Sequence, residues 1–404
     1  MTILGFLLLS LCISISYWLE LNRAIKELPQ IVPVDQERKT DLFIEQFPKV
    51  SIIVPAYNEA ENIEACVEAI LLNTALPPEK LEVWVVDDQS SDRTLAILHA
   101  FQQQSRDPRL QVISGIPKPE DRVWLGKNWA CQQAASKATG DYFIFIDADV
   151  RVKPGAITAI VQTAVTRQLD FITCIPQVVS GSLAEWLVQP LMYINVLVSF
   201  NSAVVKNPKT KTAYALGPFL LFHAAAYQQL GTHATVSQEV AEDVAFARKV
   251  KQQGFSACSI LAPNLLSLRM YQTWQALWEG WTKVLYVGAH RSVSMMLLLV
   301  FVMLLVYTIP WIGLGLAFVQ IVYIPGGLGW AKIGLAAVTI LLQYGIRAQG
   351  SRALGTQPRY WWLQGVGGCL IASLAIVSII KAETGWGWTW RGRSLVAARK
   401  GIDQ

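Results

Sequence analysis

Charged residues are frequent between Glu20 and Arg291 and almost vanish from Ser292 to Ile346, so the chain must place one part of itself in water and another in an apolar medium. With 53% hydrophobic and 16% charged residues, the 404-residue chain is too apolar for a soluble protein of ordinary composition. At the N-terminal end, residues 2–19 form a nearly uncharged run, close to the roughly 20 residues a helix needs to cross ~30 Å of hydrocarbon. No Lys or Arg precedes this run and no small-residue cleavage site closes it, which predicts an uncleaved anchor. Arg23 and Lys26 follow it, and the charge bias of membrane flanks then predicts a cytoplasmic domain beyond. Val293–Ile324, Ile333–Ile346 and Trp361–Ile380 are each expected to span, three or four in all depending on whether Pro310 divides the first. Arg347, Arg352 and Arg359 mark one loop as cytoplasmic, while Lys381, Arg391, Arg393, Arg399 and Lys400 pull the tail the same way. Three simple spans cannot satisfy both, so a re-entrant segment or a fourth helix is required. The expected organisation is an anchor over residues 1–22, a catalytic domain with interfacial helices over 45–290, membrane helices over 291–382 and a basic tail over 383–404.

The net charge of +5 is modest and spread along the chain, which excludes a nucleic-acid footprint. The six cysteines show neither Cys-x-x-Cys spacing nor a nearby His pair, so they read as reduced, mostly buried thiols rather than zinc ligands or a disulfide framework.

From Lys49 onward, short β-branched runs alternate with helical stretches, the pattern of a parallel α/β sheet with crossover helices. Four strands are predicted at Val50–Pro55, Leu81–Val86, Leu110–Ser114 and Tyr142–Ile146, with helices near Glu59–Leu72, Asp92–Gln104 and Lys127–Lys137. Ligands of such sheets sit beyond the carboxyl ends of the strands. Here those ends carry Tyr57-Asn58-Glu59, Asp87-Asp88 and Asp147-Ala148-Asp149. Asn and Asp are common turn and N-cap residues, but three acidic strand ends on one edge exceed what turns require. In extended geometry Asp147 and Asp149 point to the same side, and two carboxylates so placed suit an oxygen-seeking cation, Mg²⁺ or Mn²⁺, that bridges them to a diphosphate.

Two later segments read ambiguously. Residues 183–205 are apolar but interrupted by Glu185, Gln189, Pro190, Asn195 and Asn201, which suits an interfacial helix or a cleft wall, or plain core, better than a span. Trp274, Trp278 and Trp281 fall at i, i+4 and i+7, so a helix over Tyr271–Tyr286 shows all three indoles on one face, at a membrane interface or in a core.

Taken together, Val54-Pro55-Ala56-Tyr57-Asn58-Glu59, Val86-Asp87-Asp88-Gln89-Ser90-Ser91-Asp92 and Asp147-Ala148-Asp149 resemble, in order and spacing, the motifs of a family-2 glycosyltransferase over roughly Val50 to Lys283. The resemblance implies a Rossmann-like glycosyltransferase A-type fold, a nucleotide-sugar donor, with uridine diphosphate as the default, and a divalent metal. It places Pro55, Tyr57 and Glu59 beside base and ribose, with Asp87 or Asp88 hydrogen-bonded to them, and Asp147 and Asp149 on the metal and diphosphate. Lys127 is either a phosphate partner or a solvated cation at a helix start. The family's catalytic base matches Asp243 in Val240-Ala241-Glu242-Asp243-Val244, with Glu242 orienting it or contacting the acceptor. Asp243 is expected near the core because it neighbours the apolar stripe Val240, Val244 and Ala247. The implied reaction is a single inverting displacement, Asp243 taking the acceptor proton while the metal and Lys283 carry the departing diphosphate.

The Gln-x-x-Arg-Trp motif of processive synthases is missing, and Trp278-Glu279-Gly280-Trp281-Thr282-Lys283 stands in its place. Trp281 and Lys283 retain an acceptor-stacking ring and a cation for the diphosphate, but the departure argues for single transfer rather than polymerisation. The anchor, Arg269-Met270-Tyr271, the segment through Lys283 and the terminal Trp390-Arg391-Gly392-Arg393 are similar to carotenoid- and hopanoid-associated glycosyltransferases. That resemblance implies a membrane lipid acceptor such as a carotenoid hydroxyl or carboxyl. The alternatives are a polysaccharide or glycolipid-precursor synthase and a non-enzymatic membrane binding module; the latter leaves the three acidic strand ends unexplained.

Overall fold

The computed structural model describes residues 2–33, 46–120, 122–200, 205, 207, 209–210 and 212–395. Asn201, Arg399 and Lys400, used above, lie outside the described residues. The chain divides into two compact units. One comprises Pro29–Gln177, Asn207–Met270 and Arg391–Gln404; the other comprises Met1–Leu28, Val178–Lys206 and Tyr271–Trp390.

Helix α1 (Thr2–Glu27) opens the chain. The first unit then alternates β1 (Val50–Ala56), α2 (Ile63–Asn73), β2 (Leu81–Asp87), α3 (Thr94–Ser105), β3 (Leu110–Ser114), α4 (Gly126–Ala135) and β4 (Tyr142–Ile146). It continues with β5 (Val150–Val152), α5 (Ala156–Arg167) and β6 (Phe171–Val178). After α6 (Leu183–Phe200) of the second unit come β7 (Phe219–His223), α7 (Glu242–Gln252) and β8 (Ala257–Leu268). The four predicted strands and their three helices are all present, each boundary within a few residues. The β-branched and aromatic side chains of β1 and β4 are buried on both faces, as strands covered by crossover helices require, whereas Trp84 of β2 and Val112 and Ile113 of the edge strand β3 are half-buried.

The sheet is mixed rather than parallel throughout. Its order is β3-β2-β1-β4-β7-β6-β8-β5. The strands β1 to β4 pair in parallel, whereas β7 runs antiparallel to β4 and to β6, and β5 antiparallel to β8. The antiparallel half carries no clean repeat of strand and helix, so its pairing was not legible from periodicity. What matters for the site is that β2, β1 and β4 are parallel neighbours, which brings their carboxyl ends to one edge. Beneath that edge Phe145, Phe222, Tyr227, Phe246 and Ala134 form part of a buried cluster that ties α4 and α7 to the sheet.

The second unit contains the long apolar helices. Among the described residues four are long and apolar enough to cross a membrane: Ile3–Glu27, Val293–Tyr323, Gly327–Ala353 and Trp361–Thr384. Following α8 (Trp274–Gly288), these give α9 (Val293–Tyr323), α10 (Gly327–Ala353) and α11 (Gln364–Thr384). Pro310 does not divide α9. The helix takes a π turn at Leu304–Thr308, and the Gln343 amide donates at 2.6 Å to the carbonyl of Val306, the one that a proline at position 310 leaves without its helical donor. Three C-terminal helices of this kind therefore exist among the described residues, with no fourth.

The segment at 183–200 is a helix whose Val188, Leu191, Met192, Tyr193, Ile194 and Leu197 are buried. Gly350 of α10 and Gly367 of α11 let those helices approach its Ile194 and Leu187, where a Cβ would overlap. Along α8 the three indoles differ: Trp274 is exposed and packs against Trp278 with the rings tilted at 43°, while Trp281 is buried and packs edge-on against Tyr271. The thiols depart from expectation as well. All six are free, but only Cys66, Cys131 and Cys174 are buried, and Cys12 and Cys369 are exposed on the apolar helices.

Candidate active site

The loops after β1 and β2 are sewn together by their own polar residues. Asn58, held at φ 54, accepts the Ser91 amide on its side-chain oxygen at 2.9 Å, and its own amide donates to Ser90 Oγ at 2.9 Å. The Glu59 amide donates to Thr94 Oγ1 at 2.8 Å. Pro55, Tyr57 and Glu59 are thereby presented, half-buried, beside Asp87 and Asp88, which are both 3% exposed. Asp87 accepts the Ser90 amide on Oδ2, and its buried Oδ1 has no hydrogen-bond partner. Asp88 is bonded through Oδ2 and its carbonyl to Arg393.

The Asp147-Ala148-Asp149 triplet departs from the extended geometry that the sequence suggested. It forms a turn between β4 and β5, closed by the Val150 amide donating to the Asp147 carbonyl at 3.0 Å. The two carboxylates accordingly have different surroundings. Asp147 pairs with Lys127 Nζ at 2.7 Å, whereas Asp149 Oδ1 is buried without a partner. Burial first, then the charges of Asp147 and Glu59, push the Asp149 carboxyl up to about 8. Below the triplet the Cys66 thiol, pushed up to about 12 mainly by burial, is an inert packing group.

Lys127 is not a solvated cation. It bridges Asp147 and Glu242, both at 2.7 Å, and so joins the end of β4 to the start of α7. Burial alone would lower its pKa, but Asp147 and Glu242 outweigh that and hold it well above the ordinary value. Helix α7 begins at Glu242, so Val240 precedes the helix and Asp243 lies in its first turn rather than on a continued stripe. There Asp243 accepts the Gly217 amide on Oδ2 at 2.6 Å and the Val244 amide on Oδ1 at 2.8 Å. Burial and then Glu242 raise the Asp243 carboxyl to about 7, against the lowering effect of Lys127. A carboxylate poised near neutrality and fixed by two backbone donors has the properties of a general base. His233 is buried on Phe145 and Phe246, is hydrogen-bonded through Nδ1 to the Tyr227 hydroxyl at 2.7 Å, and is pushed down to about 3 by burial, which favours its neutral form.

Of the remaining predicted residues, Trp281 and Lys283 belong to the second unit. The Lys283 ammonium sits 3.8 Å from the centre of the Trp390 ring. Two residues were not predicted for the site at all. Arg391 donates through Nη1 to the carbonyls of Tyr57, at 2.8 Å, and Asn58, and pairs through Nη2 with Glu59 at 2.8 Å. Arg393 pairs with the Asp88 carboxylate and donates to the Asp88 carbonyl at 2.6 Å, its guanidinium 3.4 Å from the centre of the Tyr57 ring. In the sequence they stand out as part of the basic tail and of Trp390-Arg391-Gly392-Arg393, the terminal stretch similar to carotenoid- and hopanoid-associated glycosyltransferases, but neither signal assigns them to the donor site.

Three acidic strand ends, a cation tying the third to a helix-borne base, and an unpaired carboxylate oxygen agree with what comparison shows. Residues 51–231 match the family model described as "Glycosyl transferase family 2". Over those residues, just under half of the chain, it is similar to a family-2 glycosyltransferase domain. Over 254 residues the chain is 25% identical to the 4,4'-diaponeurosporenoate glycosyltransferase of Staphylococcus haemolyticus, a stretch covering 62% of this chain and 64% of the relative. It is 24% identical over 243 residues to the enzyme of the same name from Staphylococcus aureus, covering 59% and 61%. The chain thus spans just under two thirds of the length of these curated relatives. Among solved structures, the mannosyltransferase PcManGT of Pyrobaculum calidifontis, in complex with GDP-Man and Mn²⁺, superposes with a TM-score of 0.54 at 17% identity, over 94% of this chain and 97% of that one. This likeness identifies the glycosyltransferase A-type fold of the family-2 domain, here accompanied by four helices long and apolar enough to span a membrane.

Proposed function

We propose that the protein is an inverting, non-processive glycosyltransferase that moves a sugar from a nucleotide-sugar to a membrane lipid acceptor of carotenoid type. The observation that carries the reading is the connected set Asp149, Asp147, Lys127, Glu242 and Asp243, in which a vacant acidic oxygen and a base with a pKa near 7 are joined through one lysine. The acceptor class rests on the staphylococcal relatives, whose name denotes a carotenoid carboxylate.

The residues present fit a divalent cation. Asp149 Oδ1 is a buried acceptor with no donor, and burial beside Asp147 and Glu59 disfavours its anion, so a cation at this oxygen would favour the ionised form. Among the described residues no cluster of three metal-ligating side chains exists, so Asp149 and Asp147 would share the ion with donor oxygens. When bound, such an ion supplies charge neutralisation of the diphosphate. The protein's own groups do the rest. Asp87 offers its free Oδ1 to the nucleoside, and Lys127 holds Asp147 and Glu242 in register. Asp243 takes the acceptor proton as the acceptor oxygen attacks the anomeric carbon and the bond to the diphosphate breaks. Trp281 and Lys283 remain proposed acceptor and diphosphate contacts.

Membranes incubated with a panel of nucleotide-sugars and a carotenoid bearing a hydroxyl or a carboxyl are expected to yield one extractable glycosylated lipid by mass spectrometry. Label accumulating in long chains instead would favour a polymer synthase. Lys127→Met is expected to shift the acid limb of the activity profile upward by about 1 pH unit, since it removes a charge that lowers Asp243. A limb that stays in place would show that Lys127 does not tune the base.

The catalytic domain is proposed to be cytoplasmic. Because Arg391 and Arg393 bond to Tyr57, Glu59 and Asp88, the tail lies on the same side as the catalytic residues. On that reading the stretch between crosses an even number of times, and one of the three C-terminal helices is proposed not to pass fully through. This is the re-entrant alternative that the charge pattern left open.

A further inference from the structure

Arg391 and Arg393 stand 333 and 305 residues in sequence from their partners Asn58 and Asp88, yet both guanidinium groups end on the loops that carry the first two acidic motifs. Their presentation is built into the backbone. Arg391 at φ 47 and Gly392 at φ 81 are consecutive left-handed residues, the pattern of a type I′ turn, in which glycine at the second position carries no Cβ penalty. Gly126, the first residue of α4, leaves the space in which the Asp88–Arg393 pair sits. A Cβ there would come within 2.7 Å of Arg393 Nη1 and would overlap the Asp88 carboxylate.

The two arginines serve different stretches of the acidic edge. Arg391 pairs with Glu59 and donates to the carbonyls of Tyr57 and Asn58, so it holds the loop after β1. Arg393 covers the face of Tyr57 and engages both the carboxylate and the carbonyl of Asp88, on the side where base and ribose would lie. Side-chain exposures of 26% for Arg391 and 31% for Arg393 leave both within reach of a ligand entering from solvent.

Charge balance argues in the same direction. The edge holds Glu59, Asp87, Asp88, Asp147 and Asp149, and a nucleoside diphosphate adds further negative charge. Lys127 is already committed to Asp147 and Glu242. The arginine of the Gln-x-x-Arg-Trp motif is absent from this sequence. With Lys283 already proposed for the diphosphate, Arg391, paired so far with a single carboxylate, Glu59, adds a second cation for the phosphate side. With Asp88 committed to Arg393, Asp87 Oδ1 is the acceptor left for the nucleoside, and the flat Arg393 guanidinium becomes part of the nucleoside wall.

We propose that the C-terminal turn is part of the donor site, with Arg391 a diphosphate-binding residue and Arg393 a residue that shapes the nucleoside seat. This rests on the glycosyltransferase reading and extends the site beyond the family-2 domain to residues after the last apolar helix.

The test uses the full chain in detergent or nanodiscs, with UDP, GDP, CDP and ADP as binding probes in the presence of Mn²⁺, together with donor KM and kcat. Arg391→Ala and Arg393→Ala are each expected to weaken nucleoside diphosphate binding and raise donor KM by about tenfold or more, with kcat changed by less than about threefold. Lysine is expected to restore much of the binding at position 391, where a point charge suffices. It should not do so at position 393, where a planar group lies on Tyr57. Gly126→Ala, which displaces the Asp88–Arg393 pair while keeping both residues, is expected to raise donor KM as Arg393→Ala does; this keeps the test open where an arginine variant fails to fold. Unchanged KM in folded variants would overturn the proposal. A lowered KM would also overturn it, by showing that Arg393 competes with the donor for its seat. A parent protein that binds none of the four nucleotides would instead overturn the glycosyltransferase reading itself.

Discussion

Asp243→Asn is expected to reduce kcat for transfer to a hydroxyl acceptor by about 10²–10⁴-fold, the range a positioned general base contributes, with donor KM nearly unchanged. The substitution keeps the size of the side chain and an oxygen for the Gly217 or Val244 amide, so the start of α7 should survive. Only the basic lone pair is lost. In the parent enzyme the working form is the carboxylate. Because burial and Glu242 have raised Asp243 to about 7, activity should climb as pH rises through that value and level off above it. The acceptor's chemistry sharpens the test. A hydroxyl needs its proton removed, whereas a carboxylate acceptor already carries its charge and needs no base. With a carotenoid carboxylate, Asp243→Asn should therefore cost far less and the limb near pH 7 should flatten. Equal and large losses with both acceptors would mean that Asp243 positions the acceptor rather than deprotonating it. No loss with either would remove it from the mechanism.

Asp149→Asn should be the other large effect. Neutralising a metal-binding carboxylate forfeits several kcal/mol of charge stabilisation on the leaving diphosphate, which corresponds to a loss of about 10³-fold in kcat/KM. The structural reason for choosing Asp149 over Asp147 is the difference in their partners. Asp147 already answers Lys127, while Asp149 Oδ1 answers nothing. The checking measurement is a Mn²⁺ titration of activity and of nucleoside diphosphate binding. The parent should require the ion, and Asp149→Asn should bind nucleotide weakly with no gain on adding it. A variant retaining the parent's metal response would place the ion elsewhere. Asp147→Asn should differ in kind, because it releases Lys127 and thereby disturbs Glu242 and the environment of Asp243.

The antiparallel half of the sheet and the lysine bridge show where local reading stops. Strands β1 to β4 could be placed to within one residue because each is a short β-branched run bounded by turn residues, a property of neighbours in sequence. Strands β6 to β8 have no such regular spacing with helices, and their pairing is set by which edge of the sheet remains open. The triplet Asp147-Ala148-Asp149 was identified from its position after β4. Its conformation was not, because a turn closed by the Val150 amide and an extended segment have the same composition. Likewise Lys127 presented itself as one basic residue at a helix start. Nothing near it in sequence announces that Glu242, 115 positions away, will share it with Asp147.

The sequence by itself determined that this chain combines long apolar helices with an α/β domain whose strand ends are acidic. Hydropathy and side-chain period act over a dozen residues and survive without any fold. Tertiary structure alone decided which carboxylate is left without a partner, which base is held near neutrality, and that Arg391 and Arg393 return to the loops at Tyr57 and Asp88. Those outcomes depend on burial and on charges brought together from distant parts of the chain. They follow from desolvation and Coulomb interaction, which act through space and leave no periodic trace in the order of residues.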